Sequence, residues 1–318
     1  MTVQPALIAD IGGTHVRFAL VTPGEAPAET VVMRCSDYAG PAEAATAYLR
    51  AVAPGVAPVR AAFAVASPVA GDRVELTNSP WAFSIAATGA ALGLERFAVV
   101  NDFAAVALSI PHLGRGDLVQ VGGGDGVAGA PVAVLGPGTG LGVSGLVLGG
   151  DGGWVVLATE GGHVTMAAAD EREAALLAWL RHRYGHVSAE RVLSGPGLVS
   201  LYEAVAAHNG RQPVYNTPDA ISRRALDDTC AVCRETLDSF FVMLGTVAGN
   251  LALTLGARGG VYIAGGILPR MAAAFAGSGF RARFEGKGRF QPYLAAIPTR
   301  LVVHPQPAFA GLAGLVTA

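Results

Sequence analysis

The 318-residue chain reads as an α/β protein built from two domains. Three observations carry this. Short apolar runs suited to buried strands alternate with helical patterns in both halves. A strand, a glycine–threonine turn and a second strand occur twice, over 6–21 and over 132–148. After Pro111 the composition shifts toward a glycine-rich stretch at 122–126, which sets a boundary near residue 112.

The elements follow in order. Ala6-Leu7-Ile8-Ala9 is a buried strand ending at Asp10, Gly12-Gly13-Thr14 is a tight turn, and 15–21 is the return strand. Helical signals cover 41–52. The runs 61–66 and 97–100 are apolar strands, separated by Val74 to Asn78, by Trp81-Ala82-Phe83 and by a helix over 84–92. The second strand ends in Asn101-Asp102, and a helical run stops at Pro111. Beyond the boundary, Val132 to Leu135 runs into Gly136-Pro137-Gly138-Thr139-Gly140, and 143–148 returns. Helices are expected over 171–183, 197–208, 219–228, 230–255, 271–276 and 308–316, with strands over 261–264 and 301–303. The run 127–150 carries no charge and could span a bilayer by length. Its two prolines and recurrent glycines suit paired strands better than a helix.

Composition removes several classes of function. Hydrophobic residues make up 52%, charged residues 14%, and the formal net charge is −2. No electrostatic footprint for nucleic acid or an anionic membrane is present. Lys287 is the sole lysine, so Schiff-base or P-loop lysine chemistry would depend on it alone. Three cysteines form no disulfide framework. Cys230 and Cys233 make a C-x-x-C at the head of a helical pattern, without a second cysteine or histidine pair, and read as ordinary thiols. The N-terminus has no basic segment before its apolar run, so the expected location is cytoplasmic.

Three glycine turns suggest chemistry. Without Cβ atoms, backbone N–H groups can converge on an anion. Thr14 and Thr139 add hydroxyls, and Asp10 suits hydrated magnesium beside phosphates. Ala264-Gly265-Gly266 could admit a flat ligand such as adenine. Together they point to a nucleotide site. Gly140 to Gly145 spells G-x-G-x-x-G, but a strand follows it, not a helix. Walker A, H-R-D, G-x-S-x-G and H-E-x-x-H patterns are absent. Asn101, Asp102, Glu160, His163 and Glu190 could hold a polyol through fixed hydrogen bonds. Each also has a plain reading: helix capping for Asn101 and Asp102, a core histidine for His163, a first-turn helix acid for Glu190.

The motifs Asp10-Ile-Gly-Gly-Thr, Val100-Asn-Asp-Phe, Leu135-Gly-Pro-Gly-Thr-Gly-Leu-Gly, Glu160-Gly-Gly-His-Val, Ser188-Ala-Glu-Arg-Val-Leu-Ser-Gly-Pro-Gly and Ile263-Ala-Gly-Gly-Ile stand in one order along 7–310. In this the chain resembles the bacterial glucokinases, on the hexokinase side of the actin-like ATPase superfamily. The resemblance implies a two-domain actin-like (ribonuclease H-like) fold with a cleft between a small and a large domain. The small domain would be 1–112, completed by a C-terminal helix at 305–318; the large domain would be 113–304. ATP and Mg²⁺ would be used, with phosphates at Gly12, Gly13, Thr14, Gly136, Gly138, Thr139 and Gly140, the nucleotide also at Gly265 and Gly266, and Mg²⁺ at Asp10 through water. Glucose would be held by Asn101, Asp102, Glu160, His163 and Glu190; Asn78, in a stretch where relatives vary, is a further candidate sugar contact. Asp102 would be the catalytic base, and the enzyme a cytoplasmic homodimer acting in the first step of glycolysis. His15 departs from the asparagine common after Gly-Gly-Thr. Other readings are a kinase for a different hexose, a sugar-responsive regulator, which would carry a DNA-binding helix-turn-helix, and a non-catalytic sugar binder.

Overall fold

The computed structural model describes residues 4–76 and 79–317. They form two compact units. One gathers residues up to Gly114 with those from His304 onward; the other is Arg115–Val303.

The first unit contains β1 (Ala6–Ile11), β2 (His15–Val21), β3 (Ala28–Arg34), α1 (Pro41–Val52), β4 (Arg60–Val65), the short hairpin strands β5 (Arg73–Glu75) and β6 (Ala82–Ser84), α2 (Ile85–Ala91), β7 (Arg96–Asn101) and α3 (Asp102–Ser109). Its sheet runs β3-β2-β1-β4-β7. The first three strands are mutually antiparallel neighbours, whereas β1, β4 and β7 run parallel. A sheet with parallel strands needs cover on both faces. Leu7, Ala9 and Phe63 pack with Tyr48 on one face, and Ile8, Ala62 and Ala64 pack on the other.

The second unit repeats the plan with β8 (Leu118–Gly122), β9 (Val132–Pro137), β10 (Leu141–Leu148), β11 (Trp154–Ala158), α4 (Glu171–Tyr184), α5 (Gly195–His208), α6 (Pro218–Leu226), α7 (Ala231–Leu255), β12 (Gly260–Ile263), α8 (Ala272–Ala276), α9 (Phe280–Glu285), α10 (Gln291–Ala295) and β13 (Thr299–Val302). Its sheet runs β11-β10-β9-β12-β13-β8. Again three strands meander and β9, β12 and β13 run parallel. The uncharged run is the β9–β10 hairpin. β3 and β11 are edge strands with no buried residue, so they carry no clear apolar signal in the sequence. β3 is exposed along most of its length, and Val155 of β11 stands half exposed.

The last helix, α11 (Pro307–Thr317), belongs to the first unit. Phe309 and Leu312 join Ala105 of α3 in the apolar layer under the sheet. The apolar helix α7 is long enough to cross a membrane, but 67% of its most apolar stretch is buried inside the protein, as in a core helix. Cys230 Sγ caps it by accepting from Cys233 N at 3.4 Å. Burial, then the neighbouring Cys230, pushes the Cys233 thiol up to about 12, leaving it protonated and unreactive. The C-x-x-C is therefore a helix start. Lys287, the sole lysine, lies between two glycines and is anchored. Its Nζ donates to Asn250 Oδ1 at 2.7 Å and to the Thr246 carbonyl, tying residues 285–289 to α7.

Candidate active site

In the first unit, β1, β4 and β7 end at the same sheet edge, where open α/β sheets hold ligands. Asp10 lies at the end of β1, paired across the hairpin with Arg17 at 3.6 Å. Burial pushes its carboxyl up, and the guanidinium offsets part of that rise. The turn after it is closed by Gly12 N donating to His15 O at 2.9 Å. Cys35 backs this turn: its N–H donates to Thr14 O at 2.9 Å and its thiol to Gly12 O at 3.7 Å. The peptide is trans and planar, so fixing a carbonyl on one side turns the next N–H to the other. The amides of Gly13 and His15 thereby face away from Cys35. The His15 side chain is exposed.

Asn101 ends β7 and caps α3. Its Oδ1 accepts from Phe103 N at 2.9 Å and Ala104 N at 3.2 Å, while Nδ2 donates to Ser67 O at 3.4 Å. The capping reading therefore holds for Asn101, and it fixes which way the amide points. What the side chain can still offer a ligand is an N–H. Asp102 is the first residue of α3, its Oδ1 accepting from Phe103 N at 2.8 Å. Asn101→Asp should keep the cap but lose the amide donors, weakening sugar affinity and, through the lost bond to Ser67 O, lowering the melting temperature less than alanine does. Asn101→Ala should lose both, at a cost of about 1 kcal/mol for the cap. Calorimetry and sugar titration of the two variants separate these effects; equal melting temperatures would exclude a stabilising cap.

In the second unit, Glu160, His163 and Glu190 come together. The 160–163 turn packs on β10, and a methyl on Gly162 would strike the Leu141 carbonyl. Residues 188–190 pair with it: Ala189 N donates to Val164 O, and Glu190 N to Gly162 O, both at 2.9 Å. His163 Nε2 lies 3.9 Å from Glu160 Oε2, and Nδ1 lies 4.0 Å from Glu190 Oε1. These gaps are too long for hydrogen bonds, so the facing atoms keep capacity for a ligand. His163 is 61% exposed and is no core histidine. Glu190 lies outside any helix; its Oε2 accepts from Leu141 N at 2.8 Å, at the end of the β9–β10 turn.

That turn is held from beneath. Gly138 N donates to Gly140 O, and Gly195 N, at the start of α5, donates to Gly138 O, both at 2.8 Å. Gly136 and Gly265 serve close packing. A methyl on Gly136 would overlap the Ala264 carbonyl, one on Gly265 the Pro137 carbonyl, and Gly265 also has φ +87°. Gly138, Thr139 and Gly266 instead line a cavity of about 630 Å³. Its remaining wall comes largely from α6 and the segment after Gly266, including Ser222, Arg223, Ile267 and Arg270. Sequence reading missed these residues. They follow no motif, and only the fold of α6 over the turn brings them there. Asp219 and Arg270 form an exposed ion pair at 3.8 Å on this wall. Asn78 lies outside the described residues.

No group of three or more metal-ligating side chains occurs among the described residues. A single carboxylate ahead of the 12–14 turn, Asp10, fits a hydrated Mg²⁺ that arrives with nucleotide phosphates, a mode that requires no dedicated cage.

Repeated sheets of this topology, with glycine turns at their ligand edges, define the actin-like ATPase fold of sugar kinases. The solved glucokinase of an Antarctic psychrotroph has this fold, with a TM-score of 0.90 at 39% identity over 98% of both chains. The family model described as Glucokinase matches residues 7–318. The curated glucokinase of Paramagnetospirillum magneticum is 66% identical, covering 99% of this chain and 98% of its own. That of Aromatoleum aromaticum is 53% identical, covering 97% and 93%. The chain belongs to the glucokinase family.

Proposed function

We infer that the protein phosphorylates D-glucose at the 6-hydroxyl with ATP, giving glucose 6-phosphate. The observation that carries this is the junction in the second unit. The carboxylate beside His163 also bonds the glycine–threonine turn, so a polyol cluster and a phosphate turn form one continuous surface.

Phosphoryl transfer depends chiefly on positioning and electrostatics. Asn101, through its N–H, and Glu160, His163 and Glu190 would fix the sugar hydroxyls. Asp102 would accept the 6-hydroxyl proton as that oxygen attacks the γ-phosphate. Amides of the turns at 12–14 and 136–140 would cradle the phosphates, and the cavity beside Gly266 would take the nucleoside. Asp10 would orient hydrated Mg²⁺, which when bound neutralises phosphate charge. The reading includes a cytoplasmic homodimer supplying the first step of glycolysis.

A hexose panel assayed by ADP release with ATP, GTP and polyphosphate tests the reading. Glucose with ATP should turn over fastest. No ADP release with any hexose would sink the kinase reading, and a faster N-acetylated sugar would sink the glucose assignment.

Asp10 carries a stability consequence. Its folded pKa lies above its ordinary value. Such a carboxyl contributes stability below the unfolded pKa and loses it as pH rises through the folded one. Charged Asp10 thus costs the fold at neutral pH. Asp10→Asn should raise the melting temperature at pH 7, with the gain vanishing in acid, while Mg-dependent turnover falls. A lower melting temperature at pH 7 would show that the Arg17 pair outweighs burial.

A further inference from the structure

We propose that Glu190 couples sugar binding to nucleotide binding, with its two carboxylate oxygens divided between them. The proposal rests on the glucokinase reading and extends it. Oε2 accepts from Leu141 N at 2.8 Å and so holds the end of the 136–140 turn. Oε1 faces His163 at 4.0 Å, on the side of the polyol cluster. A charge-assisted bond from carboxylate to amide is short, strong and directional. A sugar hydroxyl donating to Oε1 fixes the carboxylate, and the fixed carboxylate fixes the Leu141 amide. Phosphates seated on the turn order the same carboxylate from the other side. The first ligand bears the cost of ordering this shared group, and the second binds with that cost already met.

Gly140 makes the coupling accessible to experiment. A methyl built there would meet Glu190 Oε2, and then Cδ at 3.3 Å, with no other atom outside its chain neighbours within 4 Å. Those atoms are the far end of a flexible side chain and not backbone, and Gly140 does not occupy the left-handed region. Alanine therefore fits by pushing the carboxylate aside. The bonds from Gly138 to Gly140 and from Gly195 to Gly138 still hold the turn. Gly140→Ala thus displaces Glu190 from a position that belongs, in sequence, to the phosphate turn.

The experiment is calorimetric titration of the full chain. Glucose is titrated with and without the non-hydrolysable ATP analogue AMPPNP, and AMPPNP with and without glucose. In the parent protein each ligand should tighten the other by the same factor, on the order of fivefold or more. In Gly140→Ala, glucose should bind more weakly even with no nucleotide present, and the coupling factor should fall toward one. Glu190→Asp, too short to serve both sides, should weaken AMPPNP binding measured without sugar. Unchanged glucose affinity and coupling in Gly140→Ala, in a parent that binds glucose, would overturn the coupling and leave the kinase reading standing. So would unchanged sugar-free AMPPNP affinity in Glu190→Asp. A parent protein that binds no glucose would overturn both.

Discussion

Asp102→Asn should lower kcat by about 10²–10⁴-fold, the usual contribution of a positioned general base, and leave glucose affinity within a few-fold. The substitution is nearly isosteric. Asp102 is the first residue of α3, and its Oδ1 accepts from Phe103 N at 2.8 Å. Asparagine offers the same oxygen, so the start of α3 and the cap from Asn101 remain. What disappears is the ability to accept the 6-hydroxyl proton. A coupled ADP assay gives kcat, and a glucose titration gives affinity. Turnover near the parent rate would remove Asp102 as the base. A large loss of affinity with modest loss of kcat would make it a sugar ligand instead.

Gly311→Val should be strongly damaging although Gly311 belongs to none of the motifs. α11 crosses α3 so closely that a methyl on Gly311 would overlap the Ala105 carbonyl and come within 2.9 Å of Ser109 N. These are backbone atoms and cannot rotate away. The helices must separate, opening the layer that holds Phe309 and Leu312 against Ala105. Overpacking of this kind costs about 1–3 kcal/mol. The loss should appear as a lower transition for the first unit in scanning calorimetry. Because α3 begins with Asp102, kcat should fall as well; a shift of ~1 Å can cost ~10²-fold. Normal melting with normal turnover would mean that the crossing tolerates bulk and does not fix α3.

Much of the site could be read from the chain because local sequence encodes turns and strand ends. Asp10, Asn101 and the 136–140 turn all follow apolar runs, and strand ends are where such sheets present ligand groups. The individual roles were less legible. Asn101 read as either a cap or a sugar contact. The structure makes it a cap that retains a donor, because its carbonyl oxygen is taken by Phe103 and Ala104. The wall formed by Ser222, Arg223 and Arg270 had no signal, since pocket lining depends on how α6 lies over the turn. The edge strands β3 and β11 were silent because pairing, more than burial, makes them strands.

By itself the sequence determined the α/β class, the doubled hairpin plan and the identity of the polar motifs. These depend on periodicity, on glycine and proline, and on side-chain chemistry, all of which are local. Only the tertiary structure decided that Glu190 touches the phosphate turn, that Gly136 and Gly265 serve packing, and that Lys287 is tied to α7. These are contacts between distant segments, set by chain crossings and the exclusion of volume, and no window of sequence contains both partners.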